Sequence, residues 1–105
     1  MVKFCLAEYL RDDGVLILAT PDFDFDSFPS LGETLVSLLS AHIKEKQTDA
    51  DLHTWLIDFE GTSLFLKAEH YSGSIWLEAL QREQSFEVLD YIAEIFRQEM
   101  IPIEC

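Results

Sequence analysis

Three sets of residues in this 105-residue chain have types and spacings that could do chemistry. The first is Asp22, Asp24 and Asp26, which match the first three oxygen-ligand positions of a calcium loop, with Glu33 at the twelfth position, where a bidentate carboxylate would sit. Ser27 stands at the sixth position, where the sharp turn needs glycine. Pro29 stands at the eighth, and a strand pattern rather than a helix precedes the run. The segment reads better as phenylalanines turned inward and aspartates left in water, and Glu33 as part of a helix cap. A weak divalent-metal or small-ligand domain built on Asp22–Asp26 is carried as an alternative function.

The second set is His53 and His70, which project from one face of an expected β-meander. A histidine pair can move protons or bind a metal, but no Cys, Asp or Glu is placed with them on that face. There is no Gly-x-Ser-x-Gly elbow and no phosphate-cradling glycine loop. An enzyme using His53 and His70 is the lesser alternative. No catalytic residue, metal ligand or cofactor is assigned.

The third set is suited to recognition rather than to reaction. Glu83, Glu87, Asp90 and Glu94 fall at i, i+4, i+7 and i+11, along one side of a helix. Leu56, Phe65, Tyr71 and Trp76 are large apolar residues that alternation assigns to the outer face of the meander. A solvated face does not need four such side chains in one place. Acids outnumber bases twenty to seven, for a net charge of −13. That charge repels nucleic acid and anionic membrane surfaces and favours a basic protein surface.

The elements that must position these residues follow from periodicity. Val2–Leu10 and Val15–Thr20 read as strands joined by an Asp12-Asp13-Gly14 turn. A helix starts at Pro29-Ser30, with Ser30 and Glu33 at capping-box spacing. Leu31, Leu35, Leu38, Leu39, His42 and Ile43 carry it to Lys44. Glu45–Asp51 reads as a polar loop.

Glu60-Gly61 and Ser72-Gly73 then fit two-residue hairpin turns. The first sets Phe59 opposite Thr62, Ile57 opposite Leu64, Trp55 opposite Leu66 and His53 opposite Ala68. The second sets His70 opposite Ile75, Ala68 opposite Leu77 and Leu66 opposite Ala79. It also sets Lys67 against Glu78 and Glu69 against Trp76. Both turns place one apolar set on one face, an agreement that a one-residue slip would destroy. A last helix from Gln84 or Ser85 buries Val88, Leu89, Ile92, Ala93, Ile95, Phe96 and Met100, and ends at Pro102.

The order is ββ-α-βββ-α: one α+β domain over residues 1–105, a two-layer sandwich of about five mostly antiparallel strands with two helices on one face. An apolar content of 49% suits a globular chain. Cys5 is expected as a small buried hydrophobe and Cys105 as a terminal thiol. Acids stand where a signal peptide would need bases, and the longest apolar run, Val15–Ala19, is too short to span a bilayer. A cytoplasmic protein is expected.

Across Trp55-Leu56-Ile57-Asp58-Phe59-Glu60-Gly61 and on from Leu64 to Trp76, the chain resembles a small bacterial family of acidic single-domain proteins of unknown function. The resemblance implies a bacterial cytoplasmic setting and brings no site residues. The leading expectation is a non-enzymatic interaction or adaptor protein that binds a basic protein surface and forms a homodimer. Leu56, Phe65, Tyr71 and Trp76 would make apolar contact, and Glu87, Asp90 and Glu94 would supply charge. No nucleic acid and no membrane is expected as a partner.

Overall fold

The computed structural model describes residues 4–97 apart from positions 21, 25, 51, 70 and 81, with backbone alone for 82–85. Its strands are β1 (Cys5–Leu10), β2 (Val15–Ala19), β3 (His42–Asp49), β4 (Leu52–Phe59), β5 (Thr62–Glu69) and β6 (Ser74–Ala79); its helices are α1 (Phe28–Leu38) and α2 (Arg82–Arg97). The strands form one six-stranded sheet in the order β1-β2-β6-β5-β4-β3, and every neighbouring pair is antiparallel. The α+β class therefore holds. The element order gains a strand, β3, where a helix end and a polar loop were expected.

Helix α1 stops early because its C-terminus closes in a Schellman motif. The Ala41 N–H donates to the Val36 carbonyl at 3.0 Å, and the Ser40 N–H to the Ser37 carbonyl at 3.0 Å. Ser40 takes the left-handed conformation, with φ 57°, a position that glycine usually fills. His42 and Ile43, which continue the helical spacing, belong instead to β3. That strand carries almost no apolar alternation because it is a sheet edge, exposed along most of its length and protected by charge. Lys46, on its helix-side face, lays its ammonium 4.4 Å over the Trp55 ring and pairs with Glu33 of α1 at 3.1 Å.

The start of α1 also differs from expectation. The helix begins at Phe28 with Pro29 in its first turn, where a missing N–H costs nothing. Ser30 and Glu33 are not its capping box. The reciprocal bonds lie upstream: the Ser27 N–H donates to Asp24 Oδ1 at 2.8 Å and the Asp24 N–H to Ser27 Oγ at 2.8 Å.

The first hairpin turns through a 3-10 segment, Arg11–Asp13, and Gly14 at φ 67°. It joins the sheet through β2, which sets Leu16 against Leu77 and Leu18 against Ile75 of β6. The register of β4 with β5 is the expected one at every pair, from Phe59–Thr62 to His53–Ala68. The β5–β6 register is displaced by two residues. Ala68 faces Ile75, Leu66 faces Leu77 and Glu69 faces Ser74, so the connection holds four residues rather than two. Because side chains alternate with period two, this slip keeps the same apolar set on the same face. It does exchange partners. Lys67 sits opposite Trp76 and reaches Glu78 diagonally, at 3.0 Å.

Both helices cover one face. One core contains Leu16, Leu18, Trp55, Ile57, Leu64, Leu66, Ile75 and Leu77 from the sheet, Phe28 and Leu35 from α1, and Leu89, Ile92 and Phe96 from α2. Helix α2 starts at Arg82, slightly before the expected Gln84, and its Pro102 stop and Met100 lie outside the described residues. Gly32 sets how close α1 can approach. A Cβ there would lie 2.8 and 2.9 Å from Trp55 Cζ3 and Cη2, so the helix backbone rests directly on the indole. Cys5 is half-buried at the start of β1 and disulfide-bonded, not a free core thiol; Cys105 lies outside the described residues.

Candidate functional site: the open face of the sheet

Alternation that buries Trp55, Ile57, Leu66 and Leu77 beneath the helices turns the intervening residues outward, where no element of the described chain covers them. Two rows cross this face at right angles to the strands. One runs Leu10, Val15, Glu78, Phe65, Leu56 and Glu45; the other runs Glu8, Ile17, Trp76, Lys67, Thr54 and Gln47. The side chains of β4, β5 and β6 on this face are half-buried against one another.

The Lys67–Glu78 ion pair lies near the middle of the face. Trp76 Nε1–H also donates to Glu78, at 3.3 Å, and the Lys67 ammonium lies 5.3 Å from the Phe65 ring centre. These contacts fix Phe65 and Trp76 on the surface. Glu8, Glu45, Asp49, Asp58 and Glu69 are further acids on or beside the face. Lys44, at the β3 bulge, is a further base, and it donates to Ser63 Oγ at 3.2 Å.

Three of the four apolar residues assigned to this face, Leu56, Phe65 and Trp76, do lie together on it. Tyr71 does not. The longer β5–β6 connection places it in the turn, 79% exposed. Leu10, Val15 and Ile17, which alternation in the meander alone does not assign to this face, also lie on it, on the first hairpin. The signal for Val15 and Ile17 was the unbroken apolar run Val15–Ala19, which marks a strand that is apolar on both faces. Leu80, 44% exposed just after β6, and Glu45 and Gln47 of β3, a segment whose polar composition reads as a loop, border the face as well.

The acidic stripe of α2 is only partly free. Asp90 faces the hairpin. It accepts the Tyr9 hydroxyl at 2.6 Å and two Arg11 nitrogens at 2.9 and 3.1 Å. The Arg11 guanidinium and the Tyr9 hydroxyl hold its carboxyl below the usual carboxylate range. Burial and the adjacent Asp90 carboxylate push the Tyr9 phenol up to about 12. This cluster ties α2 to the first hairpin, so Asp90 is a structural tether rather than a free steering charge. Glu94 lies 3.5 Å from Arg97 one turn on. Glu87 is exposed, and the Glu83 side chain lies outside the described residues.

The remaining candidates are dispersed. Asp24, in the turn before α1, is held below the usual range by the Ser27 backbone and hydroxyl donors. Among the described residues no three His, Cys, Asp or Glu side chains gather into a group that could hold a metal ion. His53 lies on the helix side, 3% exposed, its ring 4.6 Å from that of Phe28 and its Nδ1 3.3 Å from Thr48 Oγ1. His70 lies outside the described residues. No helix among the described residues is long and apolar enough to cross a membrane.

These features define a two-layer α+β domain with one sheet face packed under helices and the other uncovered by any described element, where Ile17, Trp76, Phe65 and Leu56 surround the Lys67–Glu78 ion pair and further acids lie at the margin. The chain belongs to the family described as protein of unknown function (DUF3630), whose model matches residues 4–97. No curated protein and no solved structure matches it.

Proposed function

We propose that this domain is a non-enzymatic interaction module whose open sheet face docks a basic protein partner. The observation that supports this most directly is the set of large apolar side chains Ile17, Trp76, Phe65 and Leu56 on a face that neither described helix covers. Isolated surface apolars are ordinary, but several large apolar side chains gathered on one face among polar groups are the usual form of an interface. The acids around it set the sign of the partner. They also weigh against a second copy of this chain as the occupant, because two faces of like charge would meet. With a net charge of −13, long-range attraction speeds encounter with a basic surface, and apolar contact holds the complex.

The test is site-specific photo-crosslinking in the source cell. A crosslinking residue replaces Trp76 or Phe65 on the open face, or Tyr91 on α2 as a control. The expected result is one basic protein captured from positions 76 and 65 and not from 91. Its capture should weaken as salt rises toward 1 M, where the screening length falls to about 3 Å. Equal capture from all three positions, or only a self-crosslinked dimer, would refute the reading.

A further inference from the structure

A cavity of about 250 Å³ opens on the sheet face, lined by Glu45, Gln47, Thr54, Leu56, Phe65 and Leu80. It is smaller than the roughly 300–1,000 Å³ of small-molecule sites, and so is sized for part of a ligand, such as one side chain. Its chemistry is divided. Leu56, Phe65 and Leu80 supply apolar surface, whereas Glu45, Gln47 and Thr54 supply oxygen acceptors at the edge-strand side. None of those three side chains is engaged in a hydrogen bond or ion pair among the described residues. The neighbouring cations are already engaged: Lys67, opposite Thr54 on the same face, is paired with Glu78, Lys44 donates to Ser63, and Lys46 is turned to the other face on Glu33.

We infer that this cavity receives an arginine side chain of the basic partner, a step that rests on the function proposed above. The aliphatic stem would lie on Leu56, Phe65 and Leu80, as long cationic side chains do on apolar surface. The guanidinium would reach the Glu45 carboxylate, with donors left over for Gln47 Oε1 and Thr54 Oγ1. A planar group with five N–H donors and no acceptor matches such a set of acceptors better than a single ammonium does. The excess of acid over base on the surrounding face has the complementary sign.

The experiment titrates Nα-acetyl-arginine amide into the isotope-labelled full chain and follows backbone and methyl resonances. Nα-acetyl-citrulline amide serves as the neutral match in shape. Saturable shifts are expected at Leu56, Phe65 and Leu80, with weak affinity in the millimolar range and at least about fivefold loss in Glu45→Gln, because a charge-assisted bond becomes a neutral one. Glu45 is exposed on an edge strand, and an unchanged reference spectrum confirms that the variant folds.

Equal response to citrulline and arginine, or undiminished binding by Glu45→Gln, overturns the assignment. So does the absence of saturable shifts when a basic partner still crosslinks from position 76, an outcome that removes the cavity and leaves the module reading in place. The absence of any such crosslink removes the module reading and, with it, the partner to which the arginine belongs.

Discussion

Replacing Gly32 with alanine should destabilise this protein, although in most helices the same change does the opposite. In an exposed helix interior, alanine is favoured over glycine by about 1 kcal/mol. Here the added methyl would meet Trp55 Cζ3 at 2.8 Å, Trp55 Cη2 at 2.9 Å and Phe28 Cζ at 3.0 Å. These are ring atoms, not the ends of flexible chains. Trp55 is 1% exposed, lies 5.0 Å from the Phe28 ring and has the Lys46 ammonium over its face. The indole has no room to retreat, so α1 must lift from the sheet.

Overpacking of this kind costs about 1–3 kcal/mol. Set against the propensity gain of about 1 kcal/mol, the net loss is about 0–2 kcal/mol, and it lies near 2 because the clashing atoms belong to rigid, buried rings. In urea unfolding, Gly32→Ala should lower the midpoint and leave the slope unchanged. In a domain of this size, 1 kcal/mol corresponds to a fall in Tm of about 4–8 °C. The double variant with Trp55→Phe removes the outer ring atoms that the methyl meets. The two changes should therefore couple by about 1 kcal/mol in the favourable direction, as adjacent sites do. A Gly32→Ala protein more stable than the parent, or strict additivity with Trp55→Phe, would refute the close approach of α1 to the indole.

Three further outcomes follow from the tethers and turns. Asp90→Asn should cost about 1 kcal/mol near neutral pH, a modest value because both Asp90 and Arg11 are partly exposed. Since the folded carboxyl is held low, its stabilisation is present above the ordinary range near pH 4 and is lost as pH falls through the folded value. Urea midpoints of parent and variant should therefore converge in acid.

The Tyr9 phenol, raised to about 12, favours the neutral form in the fold. Its contribution is complete below about pH 10 and is lost as pH rises from 10 through 12. Tyr9→Phe should remove the step near pH 12 from the alkaline absorbance titration near 295 nm, a prediction that fails if that step persists. Ser40→Gly should raise stability by about 0.5 kcal/mol, because Ser40 holds φ 57° at the helix C-terminus, where glycine has no Cβ penalty. A thermal melt with no gain would count against that turn geometry.

What was legible in the sequence depended on how local the determining interaction is. Glu60-Gly61 set the β4–β5 register because a two-residue turn and an alternating face constrain the same quantity. Ser72-Gly73 left an ambiguity that alternation cannot resolve: period two distinguishes odd slips from even ones, so a shift of two residues passes unseen. Strand β3 was hidden because its stability comes from pairing with β4 rather than from an apolar face of its own. The need for glycine at position 32 depends on Trp55, and the role of Asp90 depends on Tyr9 and Arg11 some eighty positions away. No local pattern announces such partners. Of the candidate site, the apolar half on β4, β5 and β6 was legible from alternation. The acidic wall at Glu45 was not, because its strand was invisible.

Both borders of the sheet carry an irregularity in pairing, between Leu6 and Glu8 on β1 and between Ile43 and Glu45 on β3. Such bulges bend and twist a border strand and interrupt the regular row of backbone donors and acceptors that another chain would need as a template. The exposed charges of β3 reinforce this along its whole length. Strand-by-strand growth into a ribbon or fibre is thereby opposed at each end, so the sheet does not become a seed for polymerisation.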